Sequence, residues 1–221
     1  MSARTAVLEP GQSLGEEIAN SVSHGVGLVA AIGATPLLLS HAAERGGASF
    51  LVGTSVFAAT IMLLYLASTV YHALPPGKAK RAVQIIDHGA IFFLIAGTYT
   101  PFTLGVLRGA WGWTLLTLVW ALAVIGVILK VVRGVRYPTL SLLMYLAMGW
   151  LGVVAIRPLW LGVPLSGLVW LLLGGVAYTV GVAFFTAERL GYCHFVWHVF
   201  VLAGTSCHFV AVWLYAGLEL R

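Results

Sequence analysis

Seven long apolar runs dominate the sequence and restrict the folds open to it. Their approximate bounds are residues 20–42, 48–74, 82–107, 111–132, 137–157, 164–186 and 192–216. A helix that crosses a bilayer needs about 20 predominantly apolar residues, and each run meets that requirement. The segments between the runs are short, so helices that follow one another must be antiparallel neighbours. The sequence therefore predicts an all-α integral membrane protein, with a seven-helix membrane domain at 16–217 after a short N-terminal segment at 1–15.

The composition supports this class and argues against others. Of the 221 residues, 60% are hydrophobic and only 9% are charged, whereas about a quarter of the residues of an ordinary soluble domain are charged. The net charge of +5 comes from basic residues that lie singly or in threes between apolar runs. We therefore expect a membrane-embedded chain with no nucleic-acid partner. The N-terminus has none of the features of a cleaved secretory signal.

The distribution of Lys and Arg predicts the orientation of the chain. Eight of these residues are predicted on the side of the N-terminus: Arg4, Lys78, Lys80, Arg81, Lys130, Arg133, Arg136 and Arg189. Four are predicted on the opposite side: Arg45, Arg108, Arg157 and Arg221. Positive charge concentrates in cytoplasmic loops. The N-terminus is therefore predicted to be cytoplasmic and the C-terminus to lie outside.

Three histidines and the only aspartate of the chain are predicted to lie at one depth. His72 ends the second run, Asp87 lies in the first turns of the third, and His194 and His198 begin the seventh. All of these positions fall near the predicted cytoplasmic surface. His194 and His198 are four residues apart and share a helix face, as Ser68 and His72 do. Helix packing can therefore bring these side chains together.

This combination of side chains predicts a catalytic metal site. Three imidazoles and a water form a ligand set of catalytic zinc, although imidazole alone leaves iron, copper and nickel open. Asp87 is predicted to contact the metal through its water and to act as the base, while Ser68 bonds the water or a substrate carbonyl. The alternative is that each histidine is an interfacial or packing residue, and the convergence of four ionisable groups favours the metal site.

Other polar residues have two interpretations at this stage. Glu17, Asn20 and His24 share one face of the first run and are either interfacial or a supporting wall of the site. His88 points away from Asp87 around its helix and is predicted to be a packing or hydrogen-bonding residue, with a place in the lining of the site as the alternative. His208 follows His194 by about 21 Å along its helix, which excludes it from the ligand set.

Together these motifs identify a resemblance to a known family. ExxNxxxH (Glu17, Asn20, His24), SxxxH (Ser68, His72), the stretch from Asp87 to Phe102, and HxxxH (His194, His198) resemble the hemolysin III branch of the progestin and adipoQ receptor family. The resemblance covers residues of about 15–217. It implies a seven-helix bundle with zinc held by His72, His194 and His198, with Asp87 on the zinc-bound water and with Ser68 as a family position. It also implies a relation to ceramidase-like membrane hydrolases.

Three functions follow as expectations. The first is a zinc-dependent hydrolase of a lipid amide or ester, with a membrane lipid as its substrate. The second is a sensor or regulator without enzymatic activity, in which zinc joins the second and seventh helices. The third is a cytolysin, as the family name suggests.

Overall fold

The computed structural model describes residues 12–45, 47–107, 109–187 and 191–217. The described residues form eight α-helices and one short 3₁₀ helix, with no strand among them. The helices are α1 (Leu14–Arg45), α2 (Gly47–Ala73), α3 (Lys78–Leu104), α4 (Ala110–Arg133), α5 (Pro138–Gly149), α6 (Ile156–Gly162), α7 (Leu165–Thr186) and α8 (Cys193–Tyr215), and the 3₁₀ helix Leu151–Ala155 lies between α5 and α6.

Seven helical segments are long and apolar enough to cross a membrane, because α5, the 3₁₀ helix and α6 together make one span, Pro138–Gly162. The predicted fold class, a multi-pass seven-helix bundle, is confirmed. The orientation of its termini stays a prediction of the charge distribution.

The helices pack in an order that puts α2 and α3 at the centre. Each of α1 to α4 contacts the next along the chain, α8 packs between α1 and α7, and α5 lies against α3 and α4. More than half of the apolar window of α2 is buried, against 11% of that of α7. The first residues of α1, α3 and α8 and the last residues of α2 meet at one end of the bundle. The polar residues predicted to converge belong to these four helix ends.

The fifth span differs from the prediction of one continuous helix at 137–157. Its α-helix stops at Gly149, and the chain passes through a 3₁₀ turn before α6 continues to Gly162. The Tyr99 hydroxyl satisfies the backbone groups released at this break, since it lies 2.8 Å from the Met148 carbonyl oxygen and 2.9 Å from the Gly152 nitrogen. A break in a membrane helix is tolerated where other protein groups satisfy the freed backbone.

Hydropathy also misplaces the starts of two helices. α1 and α3 begin several residues before their apolar runs, so Glu17 and Lys80 lie in the first turns of helices. α4 ends close to the end of the fourth apolar run, and Lys130 lies in its last turn and is only 3% exposed. α4 ends just beyond it, where Gly134 adopts a φ of 62° and donates its N–H to the Lys130 carbonyl, a conformation that favours glycine after a helix end.

The close packing of α2 against the backbone of α3 depends on Gly53. A Cβ atom at this position would lie 2.8 Å from Pro101 Cα and 3.1 Å from Pro101 N. We expect Gly53→Ala to destabilise the bundle by about 1–3 kcal/mol, because backbone atoms cannot rotate away as a side chain does. Thermal unfolding in detergent measures the loss. Gly33→Ala is the control, since nothing lies within 4 Å of a Cβ there. Equal melting temperatures for the two variants would contradict this explanation.

Candidate metal centre

Three histidines from two helices meet at one end of the bundle. His72 lies in the last turn of α2, and His194 and His198 lie in the first two turns of α8. Their ring centroids are 4.8–5.1 Å apart. One nitrogen of each ring lies within 4.8 Å of those of the other two, a spacing that can hold a metal ion. The convergence of these three side chains, predicted from their depth and spacing, is present in the structure.

Two of the histidines have their Nδ1 atoms engaged and their Nε2 atoms left for another partner. His72 Nδ1 lies 2.8 Å from Glu17 Oε2. His198 Nδ1 lies 3.2 Å from the Asn20 carbonyl oxygen and 3.2 Å from Ser23 Oγ. A carboxylate and a carbonyl only accept hydrogen bonds, so both Nδ1 atoms carry the proton and both Nε2 atoms carry a lone pair.

The Nε2 of His72 shows how well this group fits a metal. It is buried and has no hydrogen-bond partner among the described residues. A buried polar atom without a partner costs about 1–3 kcal/mol, so its retention needs an explanation. A cation bound to this lone pair removes the cost. Imidazoles whose other nitrogen donates to a carboxylate or carbonyl are the usual ligands of zinc.

α1 supplies the hydrogen-bond partners of both histidines. Glu17, Asn20, Ser23 and His24 share one face of this helix, and the face packs against the histidines. The His24 ring stacks on His198 with centroids 3.8 Å apart and planes within 8°. Of the two interpretations of Glu17, Asn20 and His24, the structure favours the supporting wall. Sequence reasoning missed Ser23, whose position three residues after Asn20 on the same helix face was the available signal.

Asp87 and Ser68 face the same cavity as the metal-binding group. Both are buried, with exposures of 8% and 1%. Both line a cavity of about 110 Å³ whose wall also includes His194 and His198. No hydrogen bond of the Ser68 hydroxyl occurs within the described ranges. The predicted base and the predicted hydroxyl therefore line one cavity with two of the three histidines.

The cavity extends away from the metal-binding group through the middle of the bundle. His194 and His208 both line it, and they are about 21 Å apart along α8 at ~1.5 Å per residue. Between them the wall is mainly apolar, with contributions from one face each of α3, α5 and α7. The cavity is therefore long, polar where it meets the histidines and apolar along most of its length.

The remaining histidines have structural partners. His88 contributes to the cavity wall, and its Nδ1–H donates to the Gln84 carbonyl at 2.9 Å, in agreement with the predicted hydrogen-bonding role. His208 is outside the metal-binding group, as predicted, and donates from Nε2 to the Leu171 carbonyl at 3.2 Å. Tyr145, which the sequence did not indicate, lines the cavity beside His88 and donates its hydroxyl hydrogen to the His88 carbonyl at 2.7 Å.

Comparison with known proteins identifies the family of this chain. The family model for haemolysin-III related proteins matches residues 12–209. The chain is 45% identical over 204 residues to a Bacillus cereus protein named Hemolysin-3, a match that covers 92% of this chain and 93% of that protein. It is 43% identical to the Hemolysin-3 homolog of Bacillus subtilis, over 90% of this chain and 94% of the relative.

A more distant similarity extends beyond bacteria. The human monocyte to macrophage differentiation factor is 28% identical over 212 residues, which cover 90% of this chain and 84% of that protein. The bacterial relatives and the seven apolar spans place this chain in a cell membrane. With its family model matched over most of its length, the chain belongs to the haemolysin-III related family of multi-pass membrane proteins.

Proposed function

We propose that the chain is a metal-dependent hydrolase that cleaves an amide or ester bond of a membrane lipid, as ceramidase-like enzymes do. One observation carries the proposal: three histidines that can hold a metal lie at one end of a long apolar cavity, and the same cavity contains a carboxyl group and a hydroxyl group. We assign the metal as zinc. The predicted orientation puts this site near the cytoplasmic face.

The protein provides the ligands for a zinc ion with an open coordination position. His72, His194 and His198 would hold it, and three protein ligands are typical of catalytic rather than structural zinc. When bound, zinc supplies Lewis acidity toward a carbonyl oxygen and lowers the pKa of water to about 7.

The residues in the cavity wall have roles that suit hydrolysis. Asp87 takes the proton of the attacking water and returns it to the leaving amine or alcohol, which is general base and then general acid catalysis. The Ser68 hydroxyl donates a hydrogen bond to the carbonyl oxygen of the scissile bond as negative charge develops there. Both side chains are buried, so their hydrogen bonds to a substrate are shielded from water.

The cavity favours a substrate with a long hydrocarbon chain. Its wall beyond the histidines consists largely of aliphatic and aromatic side chains such as Ile91, Leu94, Leu146 and Val182. Burial of apolar surface contributes about 0.8 kcal/mol per methylene, so an acyl chain in this space binds without polar contacts. The scissile carbonyl then lies at the polar end, beside the histidines. A ceramide-like or phospholipid-like molecule has the required combination.

The experiment that tests the proposal measures acyl release from lipids. The purified chain in nanodiscs, loaded with zinc, is incubated with N-acyl and O-acyl lipids of several head groups, and free fatty acid is quantified by mass spectrometry. We expect release from at least one lipid class, abolished by a zinc chelator and restored by added zinc. The control is the His194→Ala/His198→Ala variant in the same nanodiscs. Equal release by this variant and the wild type would contradict the proposal.

The names of the bacterial relatives support a second candidate, lysis of cells. An erythrocyte lysis assay with the purified chain separates it from the hydrolase. A lytic activity that survives both the loss of the ligand histidines and Asp87→Asn would assign lysis to the bundle itself. Lysis that disappears with these residues would instead be a consequence of lipid hydrolysis.

A further inference from the structure

Glu17 joins three helices at the metal-binding group. It lies in the first turn of α1, and its two carboxylate oxygens have different partners. Oε2 accepts the hydrogen bond from His72 Nδ1 at 2.8 Å, and Oε1 accepts one from Lys80 Nζ at 2.7 Å. Glu17 therefore links a metal-binding histidine of α2 to a charged group of α3.

We propose that Glu17 is a positioning residue for the metal, and that Lys80 holds it in that role. The inference rests on the proposed metal site. Because the Glu17 carboxylate only accepts, it fixes the proton of His72 on Nδ1 and prevents rotation of the ring. The Nε2 lone pair of His72, which is buried and has no hydrogen-bond partner among the described residues, is then left for the metal. A carboxylate behind an imidazole also makes it a more basic ligand, and loss of such a partner typically weakens metal binding 10–100-fold.

Lys80 has the contacts to hold Glu17 in place. Besides the Glu17 carboxylate, its ammonium group donates to the Leu74 carbonyl at the end of α2, at 3.1 Å. It also lies 4.9 Å above the centroid of the Tyr71 ring. These contacts fix the Lys80 side chain across the α2–α3 turn. Carboxylates are themselves zinc ligands. By occupying Oε1, Lys80 keeps Glu17 behind His72 rather than on the metal.

A purely structural role of Glu17 predicts a different result. If Glu17 only joined α1 to α2 and α3, its loss would lower the stability of the bundle and leave the metal affinity of folded protein unchanged. Metal affinity and the spectrum of a bound metal therefore distinguish the two roles.

The experiment is a competition titration of zinc against a chromophoric chelator, on the full-length chain in detergent. We expect Glu17→Ala to weaken zinc binding 10–100-fold relative to wild type. Glu17→Gln keeps an oxygen that accepts from His72, so its loss should be smaller, within about tenfold. In the Co²⁺-loaded protein, Glu17→Ala should shift the visible absorption bands, because the orientation of one ligand changes.

The matched control is Glu16→Gln, one residue earlier in the same helix turn. Glu16 accepts hydrogen bonds from the Tyr192 backbone at 2.6 Å and from Ser13 at 2.8 Å and has no contact with a ligand histidine among the described residues. The zinc affinity of the Glu16→Gln variant should stay within twofold of that of wild type. If Glu17→Ala does not fold, Glu17→Gln carries the test.

Two negative results are distinguishable. In the first, the wild type binds stoichiometric zinc, and the folded Glu17 variants have the same zinc affinities and Co²⁺ spectra as wild type and Glu16→Gln. This result would overturn the positioning role and leave the proposed metal site standing. No zinc bound by the folded wild type would overturn the metal site and the inference with it.

Discussion

Replacing His194 and His198 together by alanine is expected to reduce bound zinc from about one ion per chain to background. A structural zinc site with four ligands contributes about 10–16 kcal/mol, so two ligands account for about 5 kcal/mol or more, which is a loss of more than ~1,000-fold in affinity. Metal content of the detergent-purified protein, measured by plasma mass spectrometry without chelator in the buffers, tests this directly.

The control for this experiment removes two other imidazoles from the same chain. His41 stacks on Trp213 at the opposite end of the bundle, and His208 bonds the Leu171 carbonyl. The His41→Ala/His208→Ala variant should keep its zinc. Loss of metal in both double variants would point to general destabilisation. A folded wild type that contains no metal would show that the three histidines are a packing cluster, and the hydrolase mechanism would then be wrong.

Asp87→Asn is expected to lower lipid hydrolysis by about 10²–10⁴-fold while zinc stays bound, because an amide of the same shape cannot take a proton from water. Turnover with the lipid identified in the acyl-release screen, measured beside metal content, tests both halves of this expectation. Glu44→Gln makes the same chemical change at an exposed position near the end of α1 and should leave turnover unchanged.

This variant also separates the hydrolase from a protein in which zinc is only structural. A structural zinc between α2 and α8 needs no base, so such a protein would tolerate Asp87→Asn in every assay of its function. Undiminished turnover by the zinc-loaded variant would remove Asp87 from the mechanism. The burial of both Asp87 and Ser68 in one cavity with the ligands is the reason to expect the opposite.

The sequence was sufficient to predict the convergence of His72, His194 and His198. Each helix of a membrane bundle must cross the same apolar slab, so distance from the end of an apolar run gives depth, and residues of equal depth in adjacent helices are neighbours. The i,i+4 spacing of His194 and His198 fixes their common face within one helix. Depth and helix face therefore predicted that the three histidines could meet, provided that the ends of α2 and α8 lie close together in the bundle.

The same reasoning could not decide what surrounds them. Whether the polar face of α1 meets water or the ligands depends on which helices α1 packs against, and hydropathy carries no information about lateral order. The structure puts α1 between α2 and α8, so Glu17 reaches His72 and Asn20 reaches His198. From the sequence, Lys80 counts only as a basic residue that predicts orientation, because α3 begins before its apolar run and Lys80 lies outside that run.

Apolar length also could not show the break at Gly149 or the burial of Lys130. A break is tolerated only because Tyr99 of another helix satisfies the freed backbone groups, and a lysine is buried only where neighbouring helices enclose it. The number of spans and their helical class are predictable from the sequence, because the bilayer constrains every helix separately. Which side chains touch is not predictable from it, because hydrogen bonds of about 3 Å depend on the lateral packing of helices.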